Sequence, residues 1–322
     1  MKAFLTRVTY KTDMVKQTLA DAGISFSMYE KDQVCPRNLL LQQAAVADAI
    51  LTHTEDNIDA EFFAAASPRL KIIANMGIGF SNIDLEAATA KGIIVTNTPV
   101  EQAFDATAEA TVALLVSVAR RIPTLHHQRI SSGQELNPSF LNPTSVAIRN
   151  KTCGIVGLGR IGARVAKMMH KGFDNQILYY DAINNSQADQ EWGAQRVELD
   201  ELLQRSDFIC VNIPLMAATK NLVSAEKIAL VKGNAVFINA ARDGIVDEAA
   251  LVKRLNNGEL HGAGLDVYTD EVNNICYDNI ALTAHLANFE DEAYTAMSQT
   301  VANNVVAVLN QQTALTPVNQ VA

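Results

Sequence analysis

The sequence contains no long apolar run. No stretch reaches the roughly 20 consecutive apolar residues that a membrane-spanning helix requires. Residues 1–7 also do not begin an apolar core of the kind found in secretion signals. We therefore expect a cytoplasmic protein without a membrane partner.

Positive charge and paired cysteines are also scarce. The chain has 26 Lys and Arg residues against 35 Asp and Glu residues, a formal net charge of −9 at pH 7. Nucleic acids and anionic membranes require clusters of Lys and Arg, so this balance argues against both as partners. No Cys-x-x-Cys pair occurs, and we interpret the cysteines as buried thiols in a reducing compartment. No metal site is predicted, and the four cysteines are Cys35, Cys153, Cys210 and Cys276.

A glycine-rich motif follows an apolar run that begins at Cys153. The motif is Gly-x-Gly-x-x-Gly, formed by Gly157, Gly159 and Gly162, and helix-forming residues follow it at 163–170. In a strand-turn-helix unit, the first glycine permits the tight turn and the second lets the backbone approach a pyrophosphate. The third glycine lets the helix pack on the strand, and the first helical N–H groups then face the anion. The motif therefore predicts a dinucleotide-binding loop.

The position of an acidic residue further along the chain indicates which dinucleotide binds. Asp181 ends the apolar run 177–180, nineteen residues after Gly162, where the fingerprint places the acid that binds the adenosine ribose. A carboxylate there accepts ribose hydrogen bonds and repels a 2′-phosphate, and residues 182–185 contain no Arg. NAD is therefore favoured over NADP.

Apolar runs alternate with amphipathic stretches along the chain, a pattern typical of parallel sheets with crossover helices. Strands are predicted at residues 47–51, 70–74, 92–95, 208–213, 235–239, 262–267 and 280–283. A buried helix is predicted within 101–121, with Asp105 or Thr107 as the start of its ordered part, and a returning helix at 290–309. That buried helix suits core packing or a dimer contact equally well, and residues 131–150 read as a loop.

The length of 322 residues, the 48% hydrophobic content and the 19% charged content favour two packed domains. The predicted fold class is α/β, with two Rossmann-like, doubly wound parallel-sheet domains and the nucleotide domain inserted in the substrate domain. The predicted segments are 1–100 for the first part of the substrate domain, 101–284 for the dinucleotide-binding domain, and 285–322 for the returning part.

Several ordered motifs resemble those of the D-isomer-specific 2-hydroxyacid dehydrogenases over nearly the whole chain. They are ANMGIGFSNID at 74–84, VTNTP at 95–99, the glycine motif at 157–162, IPL at 213–215, NAARDGIVDE at 239–248 and GLDVY at 264–268. The first of these, with DATAE at 105–109, is most similar to glyoxylate/hydroxypyruvate reductases.

The resemblance implies a catalytic set of Arg242, Glu271 and His285. A planar guanidinium holds a carboxylate and polarises a carbonyl better than an ammonium does. An imidazole donates and removes a proton near neutral pH, and a carboxylate orients it. The family usually has Pro before the histidine and after the glutamate, whereas this chain has Ala284 and Val272.

The resemblance also implies residues for cofactor and substrate. The cofactor residues are Gly157, Gly159, Arg160, Ile161, Gly162, Asp181, Ala240, Ala241 and Asp266, and the substrate residues are Ile78, Gly79, Arg242 and His285. The loop 53–56 would face the variable end of the substrate, and its acidic residues count against a phosphorylated substrate.

These implications favour an oxidoreductase that transfers a hydride between NADH and a small 2-oxo acid, of the glyoxylate or hydroxypyruvate type, to give the D-2-hydroxy acid. We expect a homodimer. Two alternatives stay open: an enzyme similar to 3-phosphoglycerate dehydrogenase, and a non-catalytic NAD-sensing protein similar to the related corepressors. Formate oxidation is disfavoured, because that branch pairs its histidine with Gln where this chain has Glu271.

Overall fold

A computed structural model describes residues 1–132, 144–276 and 278–321. The strands are β1 (Lys2–Leu5), β2 (Ser25–Met28), β3 (Ala49–His53), β4 (Ile72–Met76), β5 (Ile94–Thr96), β6 (Thr152–Val156), β7 (Gln176–Tyr180), β8 (Gln195–Arg196), β9 (Phe208–Val211), β10 (Val236–Asn239), β11 (Gly262–Leu265) and β12 (Ile280–Leu282). The helices are α1 (Thr12–Asp21), α2 (Arg37–Val46), α3 (Ala60–Ala65), α4 (Leu85–Ala90), α5 (Glu101–Ala119), α6 (Ile122–Ser132), α7 (Arg160–Phe173), α8 (Ser186–Trp192), α9 (Leu199–Arg205), α10 (Ala225–Ala229), α11 (Glu248–Asn256) and α12 (Asp291–Leu309), with a 3₁₀ helix at Asp270–Asn274.

The described chain divides into two compact units. The first unit joins Met1–Ala103 to Phe289–Ala322, and the second is the continuous segment Phe104–Asn288. The second unit is therefore inserted in the sequence of the first. Their boundaries fall close to, but not at, the predicted junctions after residues 100 and 284.

The first unit is built on a parallel sheet with the strand order β2-β1-β3-β4-β5. Every residue of β3 and β4 is buried, as expected for central strands of a parallel sheet whose two faces are covered. The returning helix α12 packs against α1 and β4. Helix α12 therefore packs within the first unit, and the predicted domain bounds stay a prediction.

The second unit is built on a parallel sheet with the order β12-β11-β10-β9-β6-β7-β8. The chain starts in the middle at β6, builds outward through β7 and β8, and then continues on the other side from β9. The strand order reverses between β6 and β9. In doubly wound sheets, ligands bind beyond the carboxyl ends of the strands at such a reversal.

The structure corrects several predictions from the sequence. Helix α5 begins at Glu101 rather than at Asp105 or Thr107, and Ser131 belongs to α6 rather than to a loop. The predicted loop at 131–150 also includes residues 133–143, which lie outside the described residues. Cys276 is exposed, although the other three cysteines are buried and all four are free.

Some elements were not predicted at all, and β1, β2 and β8 are examples. Strand β8 has only two residues, and both residues are exposed, so no apolar pattern marks it. Among the described residues, no helix is both long and apolar enough to cross a bilayer.

Candidate active site

The glycine-rich turn lies at the reversal of strand order, between the end of β6 and the start of α7. Gly157 has φ 95°, a conformation that favours glycine, and a Cβ there would meet Ile213 Cγ2 at 2.3 Å. A Cβ on Gly162 would lie 1.9 Å from Gly157 O, whereas a Cβ on Gly159 would meet nothing within 4 Å. Gly157 and Gly162 are therefore required by packing, and the space beside Gly159 is open for a ligand.

The carboxylate of Asp181 connects this turn to the loop that follows β7. Its Oδ2 accepts a hydrogen bond from Leu158 N at 2.8 Å, and its Oδ1 accepts one from Ile183 N at 3.0 Å. An ionised carboxylate has about four acceptor positions, so these two bonds leave capacity for ribose hydroxyls. The side chain is thus held at the end of β7 where the sequence placed the ribose acid.

Asn212 borders the glycine-rich turn, and no motif in the sequence marked it. Its backbone O lies 2.9 Å from the position of a Cβ on Gly157, so it borders the turn. Both polar atoms of its side chain are buried, and neither has a hydrogen-bond partner within the described ranges. Buried polar groups normally have partners, which a dinucleotide can supply here. The position directly after β9, at the reversal of strand order, was the signal that could have identified Asn212.

The neighbouring cofactor candidates lie along the same edge. The Arg160 guanidinium lies over the Phe104 ring at 5.1 Å from its centroid, in the first turn of α7. Ile161 is partly buried and packs against the apolar core. Ala240 and Ala241 are buried directly after β10.

Asp266 is buried after β11, and it organises the loop that carries His285. Its Oδ1 accepts hydrogen bonds from Thr283 Oγ1 at 2.6 Å and Leu286 N at 2.9 Å, and its Oδ2 accepts one from Ala287 N at 3.2 Å. Its backbone O accepts a hydrogen bond from His285 N at 2.8 Å. These contacts hold His285 at φ 56°, a conformation that few non-glycine residues adopt.

Arg242 and His285 come together at the ends of β10 and β12. Arg242 Nη1 lies 3.3 Å from His285 Nε2 and also donates a hydrogen bond to Ala241 O at 2.6 Å. Asn239 Nδ2 donates to Arg242 O at 3.1 Å, which fixes the turn that presents the guanidinium. Arg242 is partly buried and His285 is exposed. The structure therefore brings together two of the three predicted catalytic residues, which are 43 positions apart.

Glu271 lies on the 3₁₀ helix that follows β11. Thr269 Oγ1 accepts a hydrogen bond from Glu271 N at 3.3 Å and caps this helix. The exposed Glu271 carboxylate accepts a hydrogen bond from Asn274 Nδ2 at 3.1 Å. Its pairing with His285 stays a prediction.

The predicted substrate residues Ile78 and Gly79 belong to the first unit, in the turn after β4. Ile78 O accepts a hydrogen bond from Asn97 Nδ2 at 2.7 Å, and Gly79 O accepts one from Asn75 Nδ2 at 2.9 Å. The turn is thus fixed through its carbonyl groups. Its N–H groups as substrate ligands stay a prediction.

Three features of the second unit together define a class of protein. They are the doubly wound parallel sheet, the glycine-rich turn where its strand order reverses, and the acidic residue at the end of the next strand. They are typical of dinucleotide-binding oxidoreductases. Arg242 and His285, placed at the same edge, add groups that suit an acid substrate and proton transfer.

Comparison with known proteins assigns the family. A profile described as "D-isomer specific 2-hydroxyacid dehydrogenase, NAD binding domain" matches residues 112–287. A glyoxylate reductase of Pyrococcus furiosus is 36% identical over 329 aligned residues, which cover 99% of this chain and 95% of that protein.

Solved structures of other proteins have the same fold as this chain. The TT0316 protein from Thermus thermophilus has a TM-score of 0.88 at 30% identity and covers 99% of this chain and 100% of its own. The D-lactate dehydrogenase from Aquifex aeolicus, crystallised with NAD and lactic acid, has a TM-score of 0.84 at 27% identity, with coverages of 97% and 96%.

The chain belongs to the D-isomer-specific 2-hydroxyacid dehydrogenase family, and it is an NAD-dependent enzyme that acts on 2-oxo and 2-hydroxy acids. The predictions of the family, the fold class, the enzyme class and the cofactor are confirmed.

Proposed function

We propose that the chain reduces small 2-oxo acids of the glyoxylate and hydroxypyruvate type to D-2-hydroxy acids, with NADH as the reductant. The observation that carries the proposal is the 3.3 Å approach of Arg242 Nη1 to His285 Nε2 at the carboxyl edge of the sheet. The 36% identity to a glyoxylate reductase of Pyrococcus furiosus supports the substrate class.

The contact between Arg242 and His285 joins a donor to one ring nitrogen of the imidazole. A guanidinium can only donate, so in a hydrogen bond between them His285 Nε2 is the acceptor. A substrate carboxylate matches the planar donor fork of Arg242 and competes for these donors. His285 Nε2 is then released to take up a proton.

Each side chain then has a distinct role in the reduction. NADH, when bound, would supply the hydride for the carbonyl carbon. Arg242 holds the carboxylate and stabilises the negative charge that develops on the carbonyl oxygen. The His285 imidazolium donates its proton to that oxygen and gives the hydroxyl group. The cofactor residues in this proposal are those of the glycine turn, Asp181 and the residues after β10 and β11.

Glu271 is proposed to orient the protonated form of His285. The support is the position of Glu271 on the 3₁₀ helix that follows β11. Strand β11 pairs with β12, the strand that precedes His285. Glu271→Gln should move the alkaline limb of the pH profile of kcat to lower pH, because a nearby carboxylate favours the imidazolium. We expect the variant to lose activity at a lower pH than the parent as the pH rises. Superimposable pH profiles would remove Glu271 from the mechanism.

We propose that the loop after β3, which by the family resemblance would face the variable end of the substrate, influences substrate size and charge. Asp56 is buried, and its Oδ2 accepts hydrogen bonds from Thr6 Oγ1 at 2.5 Å and His53 N at 2.9 Å. Asp56 thus shapes the loop, whereas Glu55 is exposed. An exposed carboxylate disfavours a phosphorylated substrate, which supports the smaller acids over 3-phosphoglycerate.

A panel of 2-oxo acids tests the proposal. Initial rates with NADH would be measured for glyoxylate, hydroxypyruvate, pyruvate and 3-phosphohydroxypyruvate, and the configuration of each product determined. We expect the highest kcat/KM for the first two and D products wherever a stereocentre forms. A preference for the phosphorylated acid would favour the phosphoglycerate alternative. NADH binding without turnover of any acid would favour the sensing alternative.

We also propose a homodimer that works in the cytoplasm. The support for a dimer is helix α6, which exposes the large apolar residues Ile122, Leu125 and Ile130 at 53%, 42% and 71%. Exposed apolar groups of this kind often mark protein contacts. The support for a reducing location is that the four cysteines are free. Light scattering during gel filtration would give the mass in solution.

A further inference from the structure

The segment 181–185, here named the ribose loop, is held by two side chains outside it. We propose that Arg196 and Tyr179 are positioning residues that fix the ribose loop and thereby set the affinity for NADH. The inference rests on the proposed role of Asp181 as the ligand of the adenosine ribose. It assigns a function to two residues that touch neither the reacting atoms nor, by this proposal, the cofactor.

Arg196 holds the start of the ribose loop. Its Nε donates a hydrogen bond to Asp181 O at 3.0 Å, and its Nη2 donates one to Ala182 O at 3.2 Å. Two adjacent donors of one planar group thus bind two successive carbonyl oxygens, a geometry that Lys cannot reproduce. The parallel pairing of β7 with β8 places Arg196 opposite Tyr179 and so brings it to the loop.

The exposure of Arg196 argues against a packing role. Strand β8 lies at the edge of the sheet, and both of its residues are exposed. Burial of the side chain therefore cannot be the reason for an Arg at this position. The described hydrogen bonds of its side chain both go to the ribose loop.

Tyr179 holds the end of the ribose loop from inside the protein. Its side chain is fully buried, and its hydroxyl lies 2.9 Å from both Asn184 Oδ1 and Asp189 Oδ1. The same hydroxyl accepts a hydrogen bond from Asn185 N at 3.0 Å. Asn184 Nδ2 also donates to Asp189 Oδ2 at 3.1 Å, so α8 shares in the contact. Burial raises the pKa of Tyr179 further above neutrality than its ordinary value of 10.0, so the hydroxyl remains a hydrogen-bond donor.

The two contacts enclose the backbone that carries Asp181. A loop that is already ordered loses less conformational entropy when a ligand binds, so its ligand binds more tightly. The contacts should therefore act on NADH affinity and not on hydride or proton transfer. They also act at a distance from Arg242 and His285, which lie after β10 and β12.

The test compares Arg196→Ala with Arg196→Lys and with Arg205→Ala as the matched control. Arg205 lies on α9 of the same unit and pairs with Glu201 on its own helix. We expect Arg196→Ala to raise the Kd for NADH about tenfold, equivalent to about 1.4 kcal/mol. The Ki of AMP as a competitor should rise by the same factor, because AMP contains the adenosine ribose. The kcat at saturating NADH and the Tm should stay close to the parent values.

The Lys variant separates positioning from simple charge attraction. It keeps the positive charge near the cofactor but loses the planar fork, so we expect only partial recovery of NADH affinity. Full recovery by Arg196→Lys would show that charge alone matters and would overturn the inference. A Kd in Arg196→Ala equal to that of Arg205→Ala would overturn it as well.

Two further variants complete the design. Tyr179→Phe removes only the hydroxyl and should also raise the Kd for NADH with an unchanged kcat, whereas an unchanged Kd would contradict the role of Tyr179.

Asp181→Asn tests the assignment of Asp181 as the ligand of the adenosine ribose. A loss of NADH affinity in Asp181→Asn without one in Arg196→Ala would overturn the inference alone. Parent-like affinity in Asp181→Asn would instead overturn the ribose site.

Discussion

The carboxyl edge of the sheet in the second unit has two halves that are held in different ways. On the cofactor half, formed by β6, β7 and β8, two backbone N–H groups fix the Asp181 carboxylate, and Arg196 binds the backbone of its loop. On the chemical half, formed by β10, β11 and β12, Arg242 contacts His285, and Glu271 accepts from a neighbour on its own helix.

The difference lies in what a ligand would have to replace. The contacts on the cofactor half join side chains to the backbone and can persist when a dinucleotide binds. The contact between Arg242 and His285 engages a guanidinium donor, Arg242 Nη1, for which the oxygens of a bound 2-oxo acid would compete. Cofactor affinity and chemistry should therefore respond to different substitutions.

The largest effect should come from removing the proton donor. His285→Ala should lower kcat for reduction by roughly 10²–10⁴-fold, the range for a positioned acid, with little change in NADH affinity. Steady-state rates and an NADH fluorescence titration would measure both quantities. The control Leu286→Ala alters an exposed neighbour in the same loop and should have a small effect. Equal losses of kcat in the two variants would assign the effect to the loop instead.

The next effect tests the fork of Arg242. Arg242→Lys retains the charge but loses bidentate geometry, so KM for the acid should rise and kcat should fall. Losing one charge-assisted hydrogen bond is worth about 1.5–3 kcal/mol, or roughly 10–150-fold in kcat/KM. Arg242→Ala should be worse, and NADH should still bind to both variants. Parent-like constants for Arg242→Lys would reduce Arg242 to a turn residue.

On the cofactor half, two glycines provide a matched pair. A Cβ on Gly162 would lie 1.9 Å from Gly157 O, so Gly162→Ala should lower the free energy of unfolding by about 1–3 kcal/mol or more. A Cβ on Gly159 would meet no protein atom within 4 Å. Gly159→Ala should therefore keep the stability and weaken NADH binding, because the methyl group occupies the approach of the pyrophosphate. Urea unfolding and NADH titration would separate the two, and equal destabilisation would contradict this account.

The smallest effect concerns the stability of the protein below neutral pH. A loss of stability there would alter both NADH affinity and kcat, so it must be measured before the pH profiles of the two halves are compared. Burial lowers the pKa of His53 below its ordinary value of 6.5, against the opposing charges of Asp56 and Glu55, and Arg7 also lowers it. As the pH falls below 6.5, the unfolded chain binds a proton that folded His53 does not, so stability should decrease.

The variant His53→Gln should weaken this pH dependence. Urea midpoints between pH 5 and pH 7.5 would measure it, with His126→Gln as an exposed control on α6. A parent-like loss of stability in His53→Gln would assign the effect to other groups.

Local sequence patterns predicted the strands and the glycine-rich turn of the cofactor half well. The glycine spacing at 157–162 and the acid at 181 depend on neighbouring backbone conformation, which short motifs encode directly. The strands around them were predicted to within a few residues, because buried parallel strands are continuous apolar runs. Elements without such runs escaped prediction, as the exposed two-residue strand β8 shows.

By itself, the sequence determined the family, the fold class, the cofactor and the candidate residues Arg242, Glu271 and His285. Only the tertiary structure decided which distant residues meet. Arg242 contacts His285, 43 residues away, and Arg196 donates to the backbone of Asp181, 15 residues away. Both contacts depend on the order and register of parallel strands. These are set by the packing of the whole sheet, so no local pattern of residues specifies them.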